Sequence, residues 1–162
     1  MHMLQTKSAA TMLNGAHAIA EEIRRTEGPS YEALLLLAKA RNDAYAEAAR
    51  GDVGRGLTLL NDALMQVPSS HDLLSDMAAL LLAAGEHKHA VIYASRALSI
   101  TPTHGPSLYT LAFALIGQGE TARAIQALKE LAAPGPARDN LVQEAPDLVP
   151  LVEIELDRLQ DR

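Results

Sequence analysis

Two short stretches of this chain carry residue types that do chemistry. Gly51-Asp52-Val53-Gly54-Arg55-Gly56 has the glycine density of a loop whose backbone N–H groups cradle phosphate. Such a loop follows a strand and ends in Gly-Lys-Ser/Thr, whereas here the spacing is Gly-x-x-Gly-x-Gly with no such ending. His87-Lys88-His89 offers two imidazoles two residues apart. On a helix they point about 200° from each other, so they cannot converge on one ion. Nowhere does sequence spacing join a nucleophile, a base and an orienting acid. The expectation is no catalytic residue, no metal site, no cofactor and no enzyme.

Composition narrows the partners. The 162 residues are 48% apolar and 21% charged, as expected of a globular domain with a real core. Aromatics are 3% and Trp is absent, so Leu, Ala, Ile, Val and Met must fill that core, which favours close helix-on-helix packing over a sandwich. A net charge of −6 argues against nucleic acid, whose phosphates call for clustered Lys and Arg. No apolar run is long enough for a membrane span. The absence of cysteine suits the cytoplasm. Export stays open, because Ala9 to Ala20 faintly resembles a signal peptide, although Asn14, Gly15 and His17 interrupt it.

What must position any functional surface is a repeated element. Gly51, Gly85 and Gly119 recur at 34-residue steps, as do Ala44, Ala78 and Ala112, and Pro68, Pro102 and Pro136. Three positions in phase over two intervals mark repeated supersecondary units. Each unit reads as two helices around a glycine turn, closed by a proline: 37–70, 71–104 and 105–138. Residues 9–26 predict an amphipathic helix, and Ser30 a cap for the next, through Arg50. A last helix is expected near 147–160, with Leu148, Val152, Leu156 and Leu159 on one stripe, Asp147 as cap and Pro150 in its first turn. The outer segments, 1–36 and 139–162, are expected to cap the stack, since repeats expose an apolar face at each end. One of them covering the groove, or pairing two copies into a homodimer, is the competing expectation.

The units resemble tetratricopeptide repeats, whose pattern is large-x2-Leu-small-x2-large, then Ala-x3-large, then Pro. The second unit carries Leu74, Met77, Ala78, Leu81, Ala90, Ala94 and Pro102, and the third Leu108, Leu111, Ala112, Leu115, Ala124, Leu128 and Pro136. The first departs from it, with Asp43 and Glu47 at positions normally apolar and Gly56 where Ala is usual. The resemblance implies an all-α solenoid, a right-handed superhelix of three helix pairs with helical caps. The small residues of a pair, Ala78 with Ala90 and Ala112 with Ala124, would let its helices approach closely.

It also implies a function: a concave groove, lined by the first helix of each unit, that binds a protein or peptide segment. By position the lining would be Arg41, Asn42, Tyr45, Asp76, Ala79, Leu82, Tyr109, Thr110, Phe113 and Ile116. Members that grip acidic chaperone tails use a clamp of Lys, Asn and Arg, and the matching positions here are Arg41, Tyr45, Asp76, Pro106 and Thr110. Asp76 would repel a carboxylate, so apolar or basic ligands are expected rather than acidic ones. In outline the chain is similar to bacterial chaperones of secretion translocators. A self-assembling scaffold is the other expectation.

Overall fold

The computed structural model describes residues 30–161, so the helix expected over 9–26 lies outside it. The chain divides into two compact units, residues 1–38 and 39–162. The described part of the first is the start of α1 (Tyr31–Ala49), where Ser30 Oγ accepts a hydrogen bond from the Ala33 N–H at 3.2 Å, the cap its sequence position predicts.

In the second unit α1 is followed by α2 (Val53–Gln66), α3 (His71–Ala83), α4 (His87–Ile100), α5 (Gly105–Gly117) and α6 (Thr121–Ala132). Every regular element among the described residues is helical. Three turns join the two helices of each pair, and all three are built alike. Gly51, Gly85 and Gly119 have φ of 93°, 78° and 77°, where a residue with a Cβ is strained. Each glycine N–H reaches back three residues, to the carbonyls of Ala48, Leu82 and Ile116, and the next N–H reaches back five, to Glu47, Leu81 and Leu115. Those bonds satisfy the carbonyls that a helix end leaves bare.

Pairs then stack: α3 packs on both α4 and α5, and α5 on α6. Ala78, Ala90, Ala112 and Ala124 are all at 0% exposure, so each expected close approach is made. The first pair reaches the same end differently. Gly56 of α2 lies against the α1 backbone, and a Cβ there would sit 2.7 Å from the Ala44 carbonyl oxygen. The missing Ala is thus a closer approach, and Ala44 beside it is fully buried. Asp43 and Glu47, out of place by pattern, are partnered: Asp43 binds Lys39, while Glu47 binds Arg50 and stands 3.6 Å from Arg55 of α2. Another close approach joins α4 to α5: the His87 ring lies against Gly117, where a Cβ would fall under 3 Å from it, and His87 Nδ1 is buried with no hydrogen-bond partner.

The C-terminal segment corrects the sequence reading. In place of a single helix there are α7 (Pro136–Glu144), a 3-10 turn (Pro146–Leu148) and α8 (Val149–Gln160). Pro136 does not close the third pair but opens α7, where its missing donor costs nothing. Asp147 lies within the 3-10 turn, and Leu148 takes the cap position ascribed to it, because the chain enters α8 already turning. Helix α7 packs on α5 and α8 on α6, so the two repeat the stacking of a further pair. Val152 and Leu141 are fully buried there with Leu128 and Leu131. Each such side chain contributes about 1.5–3 kcal/mol.

Candidate functional site

Burying a polar side chain is costly unless it is partnered, so buried polar residues mark places where a fold tolerates a penalty. Five occur among the described residues: Ser75, Asp76, His104, Ser107 and Thr110. Four of them line one cavity of about 380 Å³, together with Arg41, Tyr45, Ala79, Pro106, Tyr109, Glu144, Ala145 and Leu148. The wall is drawn from α1, α3 and α5, the first helices of the three pairs, and is closed by the end of α7 and the 3-10 turn.

Asp76 organises one side. Its Oδ1 accepts from the Tyr45 hydroxyl at 2.8 Å, and its Oδ2 accepts from Arg41 Nε. Arg41 also stands 3.9 Å from Asp72. Burial pushes the Asp76 carboxyl up, against the Arg41 and Tyr45 hydrogen bonds that hold it down. Burial raises the Tyr45 phenol too, with the Asp76 charge adding to it. For Arg41, burial pulls downward but the Asp76 hydrogen bond and charge prevail, keeping the guanidinium protonated. The one cation in the wall is therefore already engaged by carboxylates.

His104 organises the other side. It is 3% exposed, with Nδ1 2.7 Å from Ser107 Oγ and Nε2 3.2 Å from Glu144 Oε2. Ser107, His104 and Glu144 thus have the connectivity of a nucleophile, base and acid. Ser107 has no exposed surface, however, so no substrate carbonyl reaches its hydroxyl.

Of the ten positions expected on the groove, Arg41, Tyr45, Asp76, Ala79, Tyr109 and Thr110 come together around the cavity. Asn42 and Leu82 lie outside it. Phe113 and Ile116 also lie outside, packed half-buried against the core of the last helices. The Tyr109 and Phe113 rings lie 4.5 Å apart, so Tyr109 bridges that core and the cavity. Burial, and then the charge of Glu155, push the Tyr109 phenol up. Sequence reasoning missed His104, Ser75 and Glu144, and gave Leu148 only a place on the stripe of the last, capping helix. Glu144 belongs to the unforeseen α7. His104 precedes α5 just as Ser70 precedes α3, a correspondence visible once the units are aligned.

A more open depression of about 560 Å³ is lined by α2, α3 and α4, including Leu57, Met77, His89 and Tyr93. None of the buried polar residues lies in it. No helix among the described residues is long and apolar enough to cross a membrane.

No curated protein matches the chain in sequence. Solved structures share its fold. The Sgt2 TPR domain from Aspergillus fumigatus superposes with a TM-score of 0.65 at 20% identity, over 83% of this chain and 80% of that one. The TPR2AB-domain:pHSP90 complex of yeast Sti1 gives 0.65 at 17% identity, over 99% of this chain and 57% of that one, so the chain spans a little over half of that domain pair. Tetratricopeptide repeat sequences match residues 81–145, from the last three residues of α3 to just past the end of α7. Residues 81–145 are thus similar to tetratricopeptide repeats, and the helix pairs of the chain recur in phase and stack with the fold of the solved tetratricopeptide domains.

Proposed function

We propose that this protein is a non-enzymatic adaptor that binds an extended or helical segment of another protein in the cavity between its first helices, and that the segment is basic or apolar. The observation that carries the reading is the Asp76 knot. With Arg41 held by Asp76 and flanked by Asp72, the wall has no spare cation, while Glu144 adds a further carboxylate. An acidic tail would meet net repulsion there, and a Lys or Arg side chain would meet attraction. Ala79, Pro106, Tyr109 and Leu148 supply apolar surface for its neighbours. The Sti1 structure, a complex with pHSP90, supports partner capture as a use of this fold, and the acidic wall is what favours a basic segment here.

Peptides with alternating Lys and Leu, and their Glu-for-Lys counterparts, test this by fluorescence anisotropy. The basic series is expected to bind more tightly and to lose affinity with salt. Ala79→Arg, which places bulk and positive charge in the cavity, and Tyr109→Ala are each expected to weaken binding by about tenfold or more. Lys88→Ala with His89→Ala, at the other depression, is expected to leave binding unchanged. Loss of binding in that control variant with no loss in Ala79→Arg would reject the cavity as the site.

A further inference from the structure

Beside the same cavity three metal-ligand side chains converge, and a fourth, Glu144, stands against one of them. His71 and Asp72 stand in the first turn of α3, His104 immediately precedes α5, and Glu144 ends α7. His71 Nε2 is 3.5 Å from Asp72 Oδ1, which is 3.9 Å from His104 Nε2, which is 3.2 Å from Glu144 Oε2. Ligand atoms of His71, Asp72 and His104 all lie within 4.8 Å of one another, and the two imidazoles meet edge to face with centroids 5.0 Å apart. A tetrahedral zinc site with bonds of about 2.0–2.1 Å has ligand atoms about 3.3 Å apart, so small side-chain shifts would close His71, Asp72 and His104 around one ion, with Glu144 beside His104 to swing in.

We propose that His71, Asp72 and His104 form a binding site for a divalent transition metal of the zinc class, with the Glu144 carboxylate moving from His104 onto the ion as the fourth ligand. Three features favour this over an ordinary polar cluster. Two imidazoles with two carboxylates suit zinc and not magnesium, which takes oxygen ligands and keeps its waters. The two carboxylates cancel the charge of the ion, which removes the penalty of holding it beside the buried His104. Ser107 Oγ, itself fully buried, can accept from His104 Nδ1–H once an ion displaces the Nε2 proton now facing Glu144, which would fix the ring with its Nε2 lone pair on the metal. Because the ligands come from α3, α5 and α7, the ion would staple three successive first helices at the rim of the groove. The inference rests on this cluster and not on the proposed peptide binding, although an ion there would take up Glu144 and His104 of the cavity wall.

The test uses the full chain without an affinity tag, stripped by chelator and titrated with Zn2+ and separately with Mg2+ in competition with a chromophoric chelator. One equivalent of Zn2+ is expected to bind and raise the melting temperature, with no response to Mg2+. His71→Ala, at a half-exposed position, and Glu144→Gln are each expected to bind at least about tenfold more weakly while keeping the helical circular dichroism of the parent. Co2+ is expected to give the intense visible bands of tetrahedral coordination, lost in His71→Ala. His89→Ala is the control and is expected to bind as the parent does. Absence of binding to the folded parent, equal affinity in His71→Ala, or loss of binding in His89→Ala would each overturn the site.

Discussion

Asn140, on α7, caps a helix to which it does not belong: its Oδ1 accepts the Gly105 N–H at the head of α5 at 2.7 Å. His104, the residue in the cap position, uses its ring elsewhere and makes no capping bond, and Pro106 has no donor to offer. The two backbones are close enough that a Cβ on Gly105 would sit 2.6 Å from the Leu141 nitrogen.

Asn140→Ala is therefore expected to cost about 0.5–2 kcal/mol, the range for a lost N-cap, although it changes an α7 residue. Asn140→Asp, which keeps the acceptor and adds charge near a helix N-terminus, is expected to retain most of the stability. Urea denaturation of the two variants checks this. Equal loss in both would show that the amide is valued for its donor to Glu144 instead.

The seam between α1 and α2 makes an inverted prediction. Gly→Ala inside a helix normally stabilises by up to about 1 kcal/mol. Gly56→Ala is expected to destabilise, because the new methyl would meet the Ala44 carbonyl at 2.7 Å. Ala90→Leu and Ala112→Leu are expected to cost about 1–3 kcal/mol by the same crowding, and exposed Glu86→Ala no more than about 0.5 kcal/mol. A melting temperature for Gly56→Ala at or above the parent's would show that the two helices part more easily than their contact suggests.

Asp76 sets a pH dependence. Its carboxyl is raised by burial on folding, so the folded protein holds this proton more tightly than the unfolded chain does. The group's stabilising contribution is complete below the unfolded carboxylate value and fades as pH rises through the higher folded value. Asp76→Asn removes the titration. Between about pH 7 and about pH 4 the difference in stability, parent minus variant, is expected to move in the parent's favour as pH falls. Movement in the opposite sense would mean that the Arg41 pairing outweighs burial.

The repeat register was open to reading because it rests on local chemistry: Gly51, Gly85 and Gly119 must be glycine for their turns, and Ala78, Ala90, Ala112 and Ala124 must be small for their seams. Helix α7 escaped because only Ala137 and Leu141 of its nine residues are buried, too few for a stripe, and because proline both ends one helix and opens another. The cavity was legible in part. Position along each first helix placed Tyr45, Asp76 and Tyr109, while the engagement of Arg41 by Asp76 spans 35 residues and depends on how pairs stack. His71 and His104 share a rim for the same reason, and no local spacing announces it.

The His87 ring laid on Gly117 ties two positions together in descent as well as in space. No side chain can appear at 117 while the imidazole occupies that ground, since even a methyl group would overlap it. A lineage that replaces Gly117 must first shrink residue 87, which also removes the unpartnered buried Nδ1. In the reverse order the intermediate carries the clash. Relatives of this chain should therefore show a bulky 87 with glycine at 117, or a small 87 with freedom at 117, and the combination of two large residues should be missing among them.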